Sequence, residues 1–366
     1  MSGKIKLGIS HGDVNSISYE VIIKSLMDNR MLELCVPIIY GSPKVAAYHR
    51  KALNIEDFNL NNINHAEESR NDRVNIINCI DDNIRVELGK STESAGISSY
   101  MALKAATDDL KANRIQALVT GPINKHNIQS KSFNYGGHTE YLKDRFGVEE
   151  VLMLMVSNIM KIGLVTTHVP IQSLPAMITE ELIVNKLKLL SQSLLEDFGI
   201  RGPKIAVLGL NPHAGENGLI GSEEENIIIP AINRAKDHNI LAFGPFPADG
   251  FFGSGSYLKF DAILAMYHDQ GLVPFKALSM DNGVNFTAGL PVVRTSPAHG
   301  TAYEMAGKNE AGIDSFRNAI YTACDICHQR ELYKEISQNP LPTGVTYTEG
   351  EDESIEDLEE DEHKAG

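Results

Sequence analysis

Three histidines stand just past short β-branched runs: His168 in TTHVP, His213 in NPHAGE and His268 in MYHDQ. One histidine at a strand end is ordinarily a hydrogen-bonded structural residue. Three in the same kind of place suit a borderline divalent cation, because neutral imidazole is its commonest ligand and three ligands leave a coordination position open for substrate. Such a centre would be catalytic rather than structural. The histidines are 45 and 55 residues apart, so only the tertiary fold can unite them. A second set combines cations with amide and hydroxyl donors: His138 and Thr139 in GGHTEYL, Lys276 in VPFK, Asn285 in GVNFT and Arg294 in VVRTS. That mixture suits a phosphate, whose charge and acceptor oxygens need several donors at once, although any single member also reads as an ordinary surface group.

Positioning these residues requires strands whose carboxyl ends meet. Runs that read as strands are KIKLGI, CVPIIYG, RVNIINC, QALVTG, KIGLVTT, KIAVLGLN, AILAMYH and GVNFTAG. They alternate with helical patterns in SYEVIIKSLMDN, SAGISSYMALKAATDDLKAN, TEELIVNKLKLLSQSLLEDFG, EEENIIIPAINRAKDHN and residues 312–337. The alternation predicts an α/β fold with a largely parallel sheet. Several runs end in polar, glycine-containing turns, ISHGD, VTGPINKHN, VTTHVP, LGLNPHAGENG, AMYHDQG and NFTAG. Ligands of open α/β sheets bind beyond the carboxyl ends of the strands, so these turns should face one cleft.

Composition narrows the function classes. A chain of 366 residues, 42% hydrophobic, is long enough for two packed domains. Its longest apolar runs fall short of the roughly 20 residues of a membrane helix, and MSGKIKLGIS has neither a signal core nor a cleavage site, so a cytoplasmic protein is expected. The formal charge is −15, but residues 349–366 hold ten Asp or Glu against one Lys, which leaves −6 for the rest. A mildly acidic core argues against nucleic acid or an anionic membrane as partner, and the tail is expected to be disordered. Four cysteines make no disulfide scaffold. CDICH has haem-attachment spacing, yet Phe316, Ile320, Ala323, Cys324 and Cys327 fall on one helical stripe, which predicts buried structural thiols. ELGKST fails as a phosphate loop because Ile84 stands where the first glycine is needed, and no GxGxxG follows a strand.

The blocks VTGPINKHNI, GHTEYL, TTHVP, LNPHAGENGLIGSEE, GPFPADGFF, DAILAMYHDQGLVPFK and GVNFTAGLPVVRTSPAHGTAYEMAGKNEA run in order over most of residues 4 to 335. In them the chain resembles the 4-hydroxythreonine-4-phosphate dehydrogenase family of pyridoxal phosphate biosynthesis. The resemblance implies NAD-dependent (or NADP-dependent) oxidation of 4-phosphohydroxy-L-threonine, with decarboxylation to 3-amino-2-oxopropyl phosphate. It implies a divalent metal (zinc, magnesium, cobalt or manganese) on His168, His213 and His268, in a homodimer that shares its active site across the interface. Substrate contacts would be His138, Thr139, Lys276, Asn285 and Arg294. The implied fold is like that of isocitrate and isopropylmalate dehydrogenases: two α/β/α domains, residues 1–140 plus 291–340 and residues 141–290, with a cleft between them. SPAHGTAYEMAGKNEA is similar to the adenine-binding loop of those enzymes, which makes His299, Gly300, Thr301 and Ala302 the expected cofactor contacts. Asp249 in FPADG and Lys125 in INKHN are candidates for proton transfer, each readable also as a loop ion-pair partner. Asp269 would orient His268. The family's Gly/Pro-rich first turn is replaced here by SHGDVNSISYE, with Val14, Ser16, Ser18 and Tyr19 at its Pro and Gly positions. That departure keeps open a related substrate, a threonate or erythronate phosphate.

Overall fold

Among the described residues, twelve strands form one sheet: β1 Ile5–Ser10, β2 Cys35–Gly41, β3 Asn61–Ile63, β4 Asn75–Asn78, β5 Ala117–Thr120, β6 Leu152–Val156, β7 Lys161–Leu164, β8 Lys204–Leu208, β9 Leu241–Phe246, β10 Ala262–Ala265, β11 Val284–Ala288 and β12 Val293–Pro297. The computed structural model describes residues 3–339, so the acidic tail, whose disorder the composition predicts, lies outside the described residues. Strand order is β3-β4-β2-β1-β5-β12-β11-β6-β7-β10-β8-β9. Pairing is parallel except where β11 runs against both β12 and β6 and where β6 runs against β7. Strands from residues 5–120 and 293–297 fill one half of the sheet, and those from residues 152–288 fill the other.

The central strands are apolar on both faces because helices cover both, as parallel sheets require. Leu7, Ile9, Leu118, Val119, Ile205 and Leu264 are fully buried. The helix Glu93–Lys111 packs on β1, β2 and β5 through Ala95, Ala102, Leu103 and Ala106, and is capped by the Thr92 hydroxyl accepting from the Ala95 amide. The helix Glu180–Glu196 buries Ile183, Leu187, Leu190 and Leu194 and is capped by Thr179 in the same way. Cys324 and Cys327 are buried on the helix Asp314–Ile336 beside Phe316, Ile320 and Ala323, the stripe that their spacing predicts. No helix among the described residues is long and apolar enough to cross a membrane.

Some elements differ from the sequence expectation. AILAMYH is not a strand to its end: β10 stops at Ala265, and His268 is the first residue of the helix His268–Ser279. Gly271 and Pro274 inside that helix disguise it; Gly271 is there because an added Cβ would meet Leu164 at 2.7 Å, so the helix presses directly on β7. EEENIIIPAINRAKDHN is a π-turn, Glu224–Ile228, running into the α-helix Ile229–Lys236. β12 holds a buried arginine at its second position, a composition that conceals a strand.

Candidate active site

The site begins at the seam of the sheet. Arg294 lies on β12, where its neighbour in register on β5 is Leu118, and its residue is only 3% exposed. Its Nε and Nη2 donate to Thr120 Oγ1 at 3.2 and 2.7 Å, and Nη1 donates to Thr287 Oγ1 at 3.3 Å. Thr120 closes β5 and Thr287 lies on β11, so three strands hold one guanidinium. Among the described residues no carboxylate pairs with it. Burial lowers its pKa to about 10, and Glu140 nearby only partly opposes that shift. A buried cation that meets neutral hydroxyls alone is costly, and it is the arrangement expected where an anion arrives as ligand.

Two further polar atoms at this place lack partners. His138 opens the helix His138–Phe146, and its Nε2 is shut off from solvent with nothing to bond. Burial, with the positive charges of Arg294 and Lys125 added, holds its pKa well below the ordinary value, so the ring is neutral and can donate from one nitrogen and accept at the other. Asn285 Oδ1 is likewise buried without a partner. Alternation along β11 puts Asn285 on the same face as Thr287 and therefore on the Arg294 side. Two such groups beside a guanidinium that meets only hydroxyls make a place suited to a polar, anionic ligand.

From this pocket Lys125 reaches toward the histidines. It follows β5 through Gly121 and Pro122, and its Nζ lies 3.2 Å from His168 Nε2. β7 and β10 are parallel neighbours whose pairing continues past the strands, the Val165 and Thr166 amides donating to Ala265 and Met266 carbonyls. This brings His168 and His268 together, with ring centroids 6.0 Å apart. The pKa of His168 is lowered by burial and by Lys125 and His268, which favours the neutral imidazole that a metal needs. His268 Nδ1 contacts Asp269 Oδ1 at 2.7 Å, the orienting contact expected of Asp269, and so leaves Nε2 available. Both rings line a cavity of about 360 Å³ with Tyr267 and Asp269. Thr139 and His168 line a neighbouring one of about 190 Å³. The Lys125 ammonium resting against His168 Nε2 shows that this nitrogen faces a position where a cation is accepted, and two neutral imidazoles beside it are the donor type that a borderline divalent ion takes.

His213 sits on an exposed turn whose backbone is strained: His213, Ala214, Glu216 and Asn217 all have φ between 45° and 54°. Buried Glu224 anchors the turn by accepting from the Leu210 and Asn211 amides at 2.7 and 2.8 Å. Gln270 ties it to the His268 helix, donating from Nε2 to the Gly209 carbonyl while Oε1 accepts from the Met266 amide. Within one chain, no three His, Cys, Asp or Glu among the described residues are grouped closely enough to hold a metal. Lys276 is exposed on the His268 helix and Asp249 is exposed in the first turn of the helix Ala248–Gly253. Neither hydrogen-bonds to the Arg294 or His168 cluster among the described residues.

His299, Gly300, Thr301 and Ala302 line one cavity of about 550 Å³. His299 Nε2 is buried there without a partner, and an added Cβ on Gly300 would meet nothing, so both leave room for a ligand. The divergent first turn supports this loop: the Ile17 amide donates to the Thr301 carbonyl at 3.2 Å, and Tyr303 donates to Asp13 at 2.7 Å. Gly12 must be glycine here, since φ is 73° and a Cβ would fall 2.5 Å from the Pro122 carbonyl oxygen. Tyr19, in the same turn, is fully buried and stacks between His11 and His49 at 5.3 and 4.9 Å. Thr120, Thr287 and Glu140 are site residues that sequence reasoning passed over. The VTG and NFTAG turns held the signal for the two threonines, but nothing local distinguishes a hydroxyl that will support an arginine.

Comparison with known proteins shows which family the chain falls in. A protein from Bacteroides thetaiotaomicron named 4-hydroxythreonine-4-phosphate dehydrogenase is 53% identical over 339 residues, covering 92% of this chain and 93% of its own. A relative from Oceanobacillus iheyensis, provisionally named D-threonate 4-phosphate dehydrogenase, is 39% identical and is covered over 99% of its length, with 89% of this chain matched. The crystal structure of 4-hydroxythreonine-4-phosphate dehydrogenase from Klebsiella pneumoniae superposes with a TM-score of 0.78 at 30% identity, over 88% of this chain and 98% of that one. With residues 33–323 matching its pattern, the chain belongs to the family described as pyridoxal phosphate biosynthetic protein PdxA.

Proposed function

We propose that this chain is a 4-hydroxythreonine-4-phosphate dehydrogenase, which oxidises the secondary hydroxyl of 4-phosphohydroxy-L-threonine and releases carbon dioxide to leave 3-amino-2-oxopropyl phosphate. The observation that carries the reading is the buried Arg294 guanidinium, unpaired with any carboxylate among the described residues and flanked by the orphaned His138 Nε2 and Asn285 Oδ1. In this reading Arg294, His138, Thr139 and Asn285 bind and orient the phosphorylated substrate, with Lys276 contributing from its exposed helix. His168, His213 and His268 would hold a divalent ion and His299 to Ala302 would hold the dinucleotide. When bound, the ion supplies Lewis acidity toward a hydroxyl or carbonyl and the nicotinamide supplies a hydride acceptor. Lys125 Nζ, an ammonium with three donor protons beside His168, can deliver the proton that carbon takes up after carbon dioxide leaves. Asp249 is the remaining candidate to take the hydroxyl proton.

A second copy of the chain completes this site. His168 and His268 meet within one chain while His213 is not grouped with them among the described residues, and the His268 helix exposes Val273, with Met280 just past its end at i+7 on the same side, as apolar surface available to a twofold contact. The same reading takes the two halves of the sheet as two domains, with boundaries at residues 140 and 291.

The kinetic test compares 4-phosphohydroxy-L-threonine with threonate and erythronate 4-phosphates. The second class is kept in view by the Oceanobacillus relative. A preference of several hundredfold in kcat/KM for the substrate lacking the amine would overturn the assignment, because a buried group that recognises an amine is worth at least that much. Metal content measured on His168→Ala, His213→Ala and His268→Ala proteins tests the centre. All three should lose metal while staying folded, and full occupancy in any one removes that residue from the ligand set.

A further inference from the structure

One carboxylate lies close to both clusters of the site and is bonded to neither. Glu140 is the third residue of the helix His138–Phe146 and is half-buried. Burial lowers the pKa of Arg294 and of His168, and the Glu140 charge opposes both shifts, so it stands within electrostatic reach of each. Gly136 and Gly137 give it bare backbone to lie against: a Cβ built on Gly137 would stand 3.5 Å from Glu140 Oε2 and 3.7 Å from Lys125 Cε. Among the described residues Glu140 forms no ion pair or hydrogen bond, and the Lys125 ammonium beside that glycine turns instead to His168 Nε2 at 3.2 Å. The other carboxylates of this region are engaged or turned away. Asp269 is held against His268 Nδ1, Asp13 accepts from Asn127 and Tyr303, and Glu150 pairs with Lys186. Asp249 is exposed and bonds to neither cluster among the described residues.

We propose that Glu140 receives the ammonium of the substrate and so sets a preference for a phosphorylated amino acid over a phosphorylated hydroxy acid. The inference rests on the function proposed above and names the group that reads the amine. The substrate brings a phosphate, a carboxylate and an ammonium. Arg294 and Lys125 supply positive charge for the two anionic groups. The ammonium has three donor protons and no acceptor, so it needs an acceptor that neither cation can be, and a carboxylate makes the strong, charge-assisted form of that bond. Placement agrees with charge. The ammonium is borne by the carbon next to the hydroxyl to be oxidised, and the phosphate by the carbon on its other side, so the group that serves the ammonium must be within reach of both the anion pocket and the histidines. Glu140 is so placed. A threonate or erythronate phosphate carries a hydroxyl at that carbon and offers the carboxylate only a neutral donor.

The test is Glu140→Gln in the full-length chain. Glutamine at the third helical position has the same shape and can still accept from the amide at the helix start, so the change removes the charge and spares the fold. Wild type and variant are compared by kcat/KM on 4-phosphohydroxy-L-threonine and on threonate and erythronate 4-phosphates, and by calorimetric binding of the same compounds without dinucleotide. In both measurements the preference for the amino acid should fall roughly 10- to 100-fold, the worth of one hydrogen bond between charged groups, while the unfolding temperature stays at the wild-type value. A preserved preference overturns the assignment to Glu140 and leaves the dehydrogenase reading intact. An equal loss on all three compounds also overturns it, because Glu140 would then serve a group they share. Glu140→Asp keeps the charge one methylene shorter and should retain more of the preference than Glu140→Gln; the reverse order refutes a role for charge. Wild-type protein that fails to turn over the amino acid, or prefers the hydroxy acids several hundredfold, overturns the functional reading and this proposal together.

Discussion

Replacing Arg294 by methionine separates a guanidinium kept for a ligand from one kept for the fold. Burial takes its pKa from 12.5 to about 10. At about 1.4 kcal/mol per pKa unit the folded chain carries ~3 kcal/mol of unfavourable ionisation at neutral pH. The folded value is the lower one, so this cost is full below pH 10 and fades only as pH rises toward the unfolded value. Three hydrogen bonds to Thr120 and Thr287 return roughly 1 to 1.5 kcal/mol each. Methionine removes the charge and leaves two threonine hydroxyls without a partner, at ~1 to 3 kcal/mol each if neither finds another. Relief of ~3 kcal/mol against ~3 to 4.5 kcal/mol of lost hydrogen bonds puts the urea unfolding free energy of Arg294→Met about 0 to 1.5 kcal/mol below wild type where the pocket lets water reach the two hydroxyls, and lower by a further ~2 to 6 kcal/mol where it does not. Ligand linkage separates the two roles. A phosphorylated four-carbon hydroxy acid at a hundred times its Kd stabilises the wild-type protein by about 2.7 kcal/mol, and in the variant this increment should vanish. The readout is urea titration with and without ligand. An intact ligand increment in the variant, whatever its loss of stability when free, would show the guanidinium to be a strut and refute the reasoning.

Other outcomes follow from the same geometry. Burial lowers the pKa of His11 to about 3 and of His49 to about 4, so both stay neutral when folded and take up protons when unfolded. Stability from this source is therefore complete above about pH 6.5 and should fall by roughly 1.4 kcal/mol per pH unit for each ring between pH 6 and pH 4. His49→Gln should flatten the pH dependence of urea midpoints by one such increment, and an unaltered slope would contradict the burial argument. Lys276→Ala touches an exposed side chain and should leave stability within about 0.5 kcal/mol while raising KM for the phosphorylated substrate. If KM is unchanged, Lys276 is not a substrate contact.

The strand ends bearing His168 and His268 could be read from sequence because a polar residue after a β-branched run is a local signal. The pairing of β7 with β10 then placed the two rings together. The helix beginning at His268 was hidden, since a helix containing both glycine and proline contradicts propensity and is held by packing against β7. β12 was hidden for a related reason: an arginine inside a strand becomes intelligible only once the strands carrying Thr120 and Thr287 lie on either side of it. Orphaned atoms such as His138 Nε2 and Asn285 Oδ1 are properties of the assembled interior and have no trace in local pattern. His213 was recognisable by type, while no local pattern says how it stands relative to the other two histidines.

The seam between β11 and β12 bears on how such a molecule can breathe. Val284 pairs with Pro297, Asn285 with Ser296 and Phe286 with Thr295, and β12 continues onto β5, so the ladder is unbroken from one rim to the other. A door-like swing of one half against the other would tear these bonds. Any motion of one half against the other must instead bend or twist the sheet with this ladder intact. Amide protons on the seam should thus outlast those of the surrounding turns in hydrogen exchange, and Arg294 is mounted on a strand paired on both sides.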